Sequence, residues 1–150
     1  MAEDASAVVV RELLVVRGGR TVVDRVGFEV ARGTLTGLLG PSGCGKTTLM
    51  RCLVGVQRIA GGTVTVLGHD AGAAPLRHRV GYVTQAPSVY RDLSVRENLR
   101  YFARVLGAPP GDVDGEIAED GLRDHAGAVT ANLSGGQQAR VSLAAALLGT

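Results

Sequence analysis

Residues 8–16, VVVRELLVV, are β-branched and apolar with short polar interruptions, a pattern that predicts a strand. Gly18-Gly19 supplies a turn, and 21–30, TVVDRVGFEV, form a second extended segment before the turn at Ala31-Arg32-Gly33. An antiparallel meander is expected. Residues 34–40, TLTGLLG, are almost wholly apolar, as in a strand buried on both faces, and run into a glycine-rich stretch. Beyond it, Leu49, Leu53 and Val56 recur at helical spacing and predict a helix from Lys46 to Gly55. Residues 61–68, GGTVTVLG, alternate as a strand, and 79–85, RVGYVTQ, predict another that ends at Gln85 before Pro87 breaks the pattern. The segment 94–106 reads as a helix: Val95, Leu99, Phe102 and Leu106 share one face, and Ser94 with Glu97 forms an S-x-x-E capping box. Pro109-Pro110-Gly111 ends it, and residues 112–124 are acidic and weakly helical. Ser134 opens a last helix, apolar along Val141, Ala144, Ala145 and Leu148.

Composition narrows the class. The 150 residues have the size of one domain and are 45% hydrophobic, which suits a globular protein with a real core. A net charge of +2 with scattered arginines gives no reason to expect nucleic-acid binding. The N-terminus lacks the basic region and cleavage site of a signal peptide, and no apolar run approaches the roughly 18 residues that span a bilayer. A cytoplasmic location is expected. Cys44 and Cys52 show no metal-ligand spacing and read as reduced thiols. His69, His78 and His125 read as surface side chains. Of the 16 Lys and Arg residues, only Lys46 is a lysine, and it sits inside the glycine-rich stretch.

That stretch, Gly40-Pro41-Ser42-Gly43-Cys44-Gly45-Lys46-Thr47-Thr48, fits the P-loop pattern G-x-x-x-x-G-K-[ST] between an apolar segment and a helix. Its glycines let successive amides converge on an anion, and the helix N-terminus adds its positive end. Lys46 would neutralise the β- and γ-phosphates, and the Thr47 hydroxyl would be a Mg²⁺ ligand. Cys44 holds a variable position of the loop. A thiol beside a lysine at a helix N-terminus is expected to be reactive, so its alkylation should block nucleotide binding and MgATP should protect it. An inert filler is the alternative for this residue.

A second glycine turn, Leu133-Ser134-Gly135-Gly136-Gln137, again opens a helix behind an N-cap serine. One compact nucleotide does not need two such turns from the same chain. Two copies sandwiching two ATP molecules head to tail would use both.

With GPSGCGKTT, GYVTQ and LSGGQQARVSLAAALL in this order, the chain resembles the nucleotide-binding domain of ATP-binding-cassette (ABC) transporters over nearly its whole length. The resemblance implies an α/β fold. A P-loop NTPase core, a parallel sheet with flanking helices, would carry an N-terminal antiparallel β subdomain and an α-helical subdomain, and would be incomplete at the C-terminus. Residues 1–33 would form the antiparallel part, 34–86 the P-loop core, 87–133 the helical subdomain and 134–150 the signature helix. Gln85 would be the Q-loop glutamine, near Mg²⁺ and the attacking water and coupled to a transmembrane permease subunit. Ser134, Gly135, Gly136 and Gln137 would meet the γ-phosphate held by a second nucleotide-binding domain. The stretch PSVYRDLSVRENLRYFARVLG resembles drug- or lipid-exporter ATPases more than importer subunits. Such a chain would lie at the inner face of the cell membrane through its permease.

Two departures modify the expectation. The family stacks adenine on an aromatic side chain about two dozen residues before the P-loop, where this chain has LVVRGGRTVV. Arg17, 23 positions before Gly40, falls nearest, with Val16 as the apolar alternative. GTP should then bind almost as well as ATP. The family's Walker B Asp, catalytic Glu, D-loop and switch His also have no counterpart in the 150 residues. The chain is therefore expected to bind nucleotide with little or no turnover and, without an interior strand, to be poorly soluble or partly unfolded when expressed alone. A nucleotide-binding module without turnover and a non-transport cytosolic ABC ATPase stand as alternatives; a P-loop kinase would not need LSGGQ.

Overall fold

A computed structural model describes residues 6–149, which divide at Arg77/His78 into two compact units. In the first, β1 (Ser6–Arg17) and β2 (Arg20–Ala31) pair antiparallel, β3 (Gly61–Val66) lies on the other side of β1, and β4 (His69–Asp70) follows, for a sheet order β2-β1-β3-β4. The β1–β2 connection is the two-residue Gly18-Gly19 loop with both φ angles positive, which matches the right-handed strand twist. The β1–β2 register shifts at four places, two of them in mid-strand. An extra residue in β1 at Glu12 brings Val10 and Leu13 to the same face, and an extra residue in β2 at Arg25 restores the balance. Val10, Leu13, Val15, Val23, Val64 and Val66 thereby share a buried layer. On it sits α1 (Lys46–Leu53), with Leu49 and Cys52 buried one turn apart.

The second unit is helical. The helices α2 (Val95–Leu106), α3 (Asp112–Glu119) and α4 (Gly135–Leu147) pack on one another around Val95, Leu99, Val113, Ile117, Leu122 and Val141. The capping box expected at Ser94 and Glu97 is formed, and the Ser94 hydroxyl and backbone N–H, both donating to Glu97 Oε2, hold that carboxyl below its ordinary value. The weak helix expected over 112–124 stops at Glu119; Gly121 turns with φ +64°, and a single 3-10 turn follows at Arg123–His125.

The strands expected at 34–40 and 79–85 are corrected: neither segment joins a ladder, and every strand pair among the described residues is antiparallel. Leu35 and Leu39 are almost fully exposed, at 103% and 93%, and Leu38 is exposed too. An apolar segment becomes a doubly buried strand only when neighbours pair with both of its edges. Among residues 6–149 these two segments find no such neighbours.

Candidate nucleotide-binding site

Gly45 is the N-cap of α1 with φ +95°, a left-handed conformation that side chains rarely adopt. A Cβ there would lie 2.8 Å from the Val22 carbonyl oxygen, so the glycine also permits the loop to rest on β2. Gly43 turns with φ +80°. Lys46 Nζ donates to the carbonyl oxygens of Gly40 and Pro41, both at 2.6 Å, and lies 3.7 Å from Cys44 Sγ. The ammonium is thus held back across its own loop by two neutral acceptors. Cys44 is exposed, and its sulfur lies over Gly40, where an added Cβ would approach it to 2.9 Å. Thr47 is exposed on the first helical turn, whereas Thr48 is buried beneath it. Arg17 and Val16 are exposed at the tip of the β1–β2 hairpin.

In the helical unit, Gln85 is exposed at a bend. The residues after it are tied down. The Thr84 hydroxyl donates to Ala86 O at 2.6 Å, Ser88 N donates to Ser142 Oγ at 3.2 Å, and Tyr90 N donates to Asn98 Oδ1 at 2.8 Å. Asn98, fully buried on α2, also donates from Nδ2 to Tyr90 O at 2.8 Å and to Thr130 Oγ1 at 3.0 Å. One amide side chain therefore joins the segment after Gln85 to the segment before Leu133. Sequence reasoning missed Asn98, Thr130 and Ser142; the available signal was a polar residue at a core position of a helix or beside one. Tyr90, Tyr101 and Phe102 form a contiguous aromatic group, with Tyr90 and Tyr101 edge to face at 5.0 Å and both exposed.

Ser134 caps α4. Its N–H donates to Gln137 Oε1 at 2.8 Å, and its hydroxyl accepts from Gln137 N at 3.3 Å. Ser134, Gly135 and Gly136 are exposed, and nothing lies within 4 Å of where a Cβ would be on either glycine. The amides of the first turn have no intrahelical acceptor, so this turn presents them to solvent rather than to a core. His125, read as a surface residue, is instead half-buried with its Nε2 at 2.8 Å from Gln137 Nε2.

Residues 23–150 match the ABC transporter family. This chain belongs to that family. The sulfate/thiosulfate import ATP-binding protein CysA of Mycolicibacterium paratuberculosis is 38% identical over 146 residues, which cover 94% of this chain and 40% of CysA. The cytochrome c biogenesis ATP-binding export protein CcmA of Rhodopseudomonas palustris is 38% identical over 138 residues, covering 92% of this chain and 68% of CcmA. Among solved structures, CbiO1 from Clostridium perfringens, part of the ABC transporter complex CbiONQ, superposes with a TM-score of 0.84 at 24% identity over 95% of this chain and 61% of CbiO1. That likeness shows that the fold is the one found in ABC ATP-binding subunits. The chain spans about two fifths of CysA and about two thirds of CcmA. The resemblance to drug or lipid exporters finds no support: CysA is an importer subunit, and CcmA, an export protein, belongs to cytochrome c biogenesis. No helix among the described residues is long and apolar enough to cross a membrane.

Proposed function

We propose that this ABC transporter chain is the ATP-binding part of a membrane transporter and couples MgATP to substrate movement through a permease subunit. The observation that carries the reading is the loop geometry at Gly40–Thr48. Lys46 is pinned by two neutral carbonyls at 2.6 Å, and a phosphate oxygen, which is itself negatively charged, is a stronger acceptor than either. Lys46 would then swing from Gly40 O and Pro41 O to the β- and γ-phosphates. The amides of Gly43 to Thr48 would line the triphosphate, with Pro41 and Ser42 closing the loop.

Mg²⁺ fits the donors present. It keeps several waters and takes one or two protein oxygens together with phosphates, and Thr47 offers an exposed hydroxyl beside the loop. Among the described residues no cluster of His, Cys, Asp or Glu competes as a metal cage. Bound with the nucleotide, the ion would neutralise developing phosphate charge. Gln85 is proposed to approach the ion and the attacking water, and Arg17 to lie against the base. Ser134, Gly135, Gly136 and Gln137 would meet the γ-phosphate bound by a second copy or a second nucleotide-binding domain, a role that the exposure of Ser134, Gly135 and Gly136 permits. Residues 87–133 would face the permease, with Tyr90, Tyr101 and Phe102 as the apolar anchor.

Residues 34–60 contain no Asp or Glu, so the P-loop stretch binds and orients but brings no carboxylate to activate water. Of the P-loop stretch by itself, binding with little turnover is therefore expected. Titration with a fluorescent ATP analogue plus Mg²⁺ tests the reading: Lys46→Ala should weaken binding at least tenfold, about 1.4 kcal/mol. Equal affinity of the variant and the parent would remove the P-loop from the site.

A further inference from the structure

Gln137 makes three hydrogen bonds, and together they fix the protonation of His125. Its Oε1 accepts from Ser134 N–H at 2.8 Å, and its own backbone N–H donates to Ser134 Oγ at 3.3 Å. A backbone N–H can only donate, so the amide oxygen must face Ser134 and the amide nitrogen must face His125. That nitrogen, 2.8 Å from His125 Nε2, carries only hydrogens to offer. The ring nitrogen facing it must be the lone-pair nitrogen, which places the imidazole proton on Nδ1.

We infer that His125 is a positioning residue for the signature turn, holding the N-terminus of α4 in its capped form only while the imidazole is neutral. The inference rests on the proposed meeting of Ser134–Gln137 with a nucleotide. Protonation puts a second N–H on the ring, and two donors then face each other. Gln137 must turn its oxygen toward the imidazolium or withdraw. In either case Ser134 N–H loses its acceptor, the reciprocal cap is halved, and the turn that presents Gly135 and Gly136 is loosened. The 3-10 turn carrying His125 is anchored independently: Arg96 N donates to Ala126 O at 3.0 Å and Ala128 N to His125 O at 2.9 Å, so the ring cannot simply retreat with its backbone.

The charged groups on the surrounding elements are Arg123 and Asp124 on the same turn, Arg96 and Glu97 on α2, Glu119 and Asp120 at the end of α3, and Arg140 on α4. Glu97 is engaged by Ser94. Among the described residues none of them forms an ion pair with the imidazole, so the Gln137 contact is its recorded polar partner and the one that protonation must break.

The deciding experiment is a pH titration of the ¹⁵N-labelled chain between pH 8 and 5. The Ser134 backbone amide and the Gln137 side-chain amide should move with the midpoint of the His125 ring. In His125→Gln, whose amide oxygen reaches the position of the ring Nε2 and accepts from Gln137 at every pH, both should stay flat. A Ser134 amide that is unmoved while the ring titrates overturns the inference, as does a pH response that persists in His125→Gln; should that variant fail to fold, the parent titration decides alone. As a second reading, MgATP-dependent association, measured by sedimentation, should weaken roughly threefold to tenfold from pH 8 to pH 5.5 in the parent, the scale of a damaged helix cap. It should not weaken in His125→Gln. Association with the same pH dependence in both proteins counts against the positioning role. No MgATP-dependent association at any pH defeats the proposed signature–nucleotide contact instead, and the amide titration still decides the His125–Gln137 coupling.

Discussion

Replacing Asn98 with alanine should cost more than an alanine substitution at any other polar position of α2. Its side chain makes three well-formed bonds, to Tyr90 N and Tyr90 O at 2.8 Å and to Thr130 Oγ1 at 3.0 Å, with a weaker contact to Ser94 O at 3.1 Å. At about 1 kcal/mol net for each good bond, the loss is about 3 kcal/mol. Thr130 is fully buried, so its hydroxyl would be stranded, and a total of about 3–4 kcal/mol is expected. Asn98→Asp keeps the bond from Tyr90 N but turns a carboxylate oxygen on Tyr90 O, and it should cost about as much. Thr130→Val removes only one of the three bonds and should cost about 1 kcal/mol, with a coupling to Asn98→Ala of similar size in a double-mutant cycle. The assay is native-state hydrogen exchange at the buried α2 amides of Leu99 and Ala103, which reads the opening of the helical unit directly. A loss below about 1 kcal/mol for Asn98→Ala would mean that water replaces the amide freely, and the account of Asn98 as the tie between the two segments would be wrong.

N-ethylmaleimide should label Cys44 before Cys52, because Cys44 is exposed whereas Cys52 is buried and burial pushes its thiol up. With its sulfur 3.7 Å from Lys46 Nζ, the adduct should abolish nucleotide binding and MgATP should slow the labelling; peptide mass mapping with a Cys44→Ala control reads both effects. Asp120 carries a buried Oδ2 without a partner, and burial followed by Glu119 raises its carboxyl above the ordinary value despite Arg140. The native state therefore holds that proton more tightly, and stability falls as pH rises through the ordinary carboxylate value to the raised one. Asp120→Asn should be neutral at pH 3 and stabilising by about 0.5 kcal/mol at pH 7, read by urea denaturation; a destabilised variant at pH 7 would refute the sign. Leu35→Ser with Leu39→Ser should raise the soluble yield of the chain while changing its unfolding free energy by less than about 0.5 kcal/mol, since both side chains are already in solvent; a clear loss of stability would show that they are packed in solution.

What was legible in the sequence was what is encoded locally. The Gly18-Gly19 turn, the Ser94/Glu97 box and the Ser134 cap each need only a few adjacent residues, and each is formed as read. The phase changes at Glu12 and Arg25 were not legible, because a bulge moves alternate residues to a new face without altering the apolar run. The segments 34–40 and 79–85 were read as strands from apolar content alone. A ladder, however, is a property of two segments, and composition does not say whether a partner is present. At the site, the P-loop and the signature turn were visible as motifs. His125 and Asn98 were not, because a histidine in a polar loop and an asparagine in a helix acquire their roles only when Gln137, Tyr90 and Thr130 are brought against them.

The two glycine turns differ in what holds them, and the difference bears on how each would respond to a phosphate. The P-loop is restrained by its own lysine, through bonds to Gly40 and Pro41 that an arriving anion must displace. On the proposed reading, nucleotide binding there would be an exchange of acceptors, and the loop would be freed from its lysine as the phosphate takes over. The signature turn is restrained from outside the motif. Gln137 is held by His125, Gln138 Nε2 reaches Thr130 O and Leu133 O at 3.1 Å, and Thr130 is in turn held by Asn98, which also grips Tyr90. A force on the exposed aromatic group at Tyr90 therefore has a hydrogen-bonded route to the turn that caps α4, through Asn98 and Thr130. If a permease docks on Tyr90 and Tyr101, that route lets the state of the docking surface bias the signature turn, and Thr130→Val, which interrupts it at a cost of only about 1 kcal/mol, is the substitution that would separate coupling from folding.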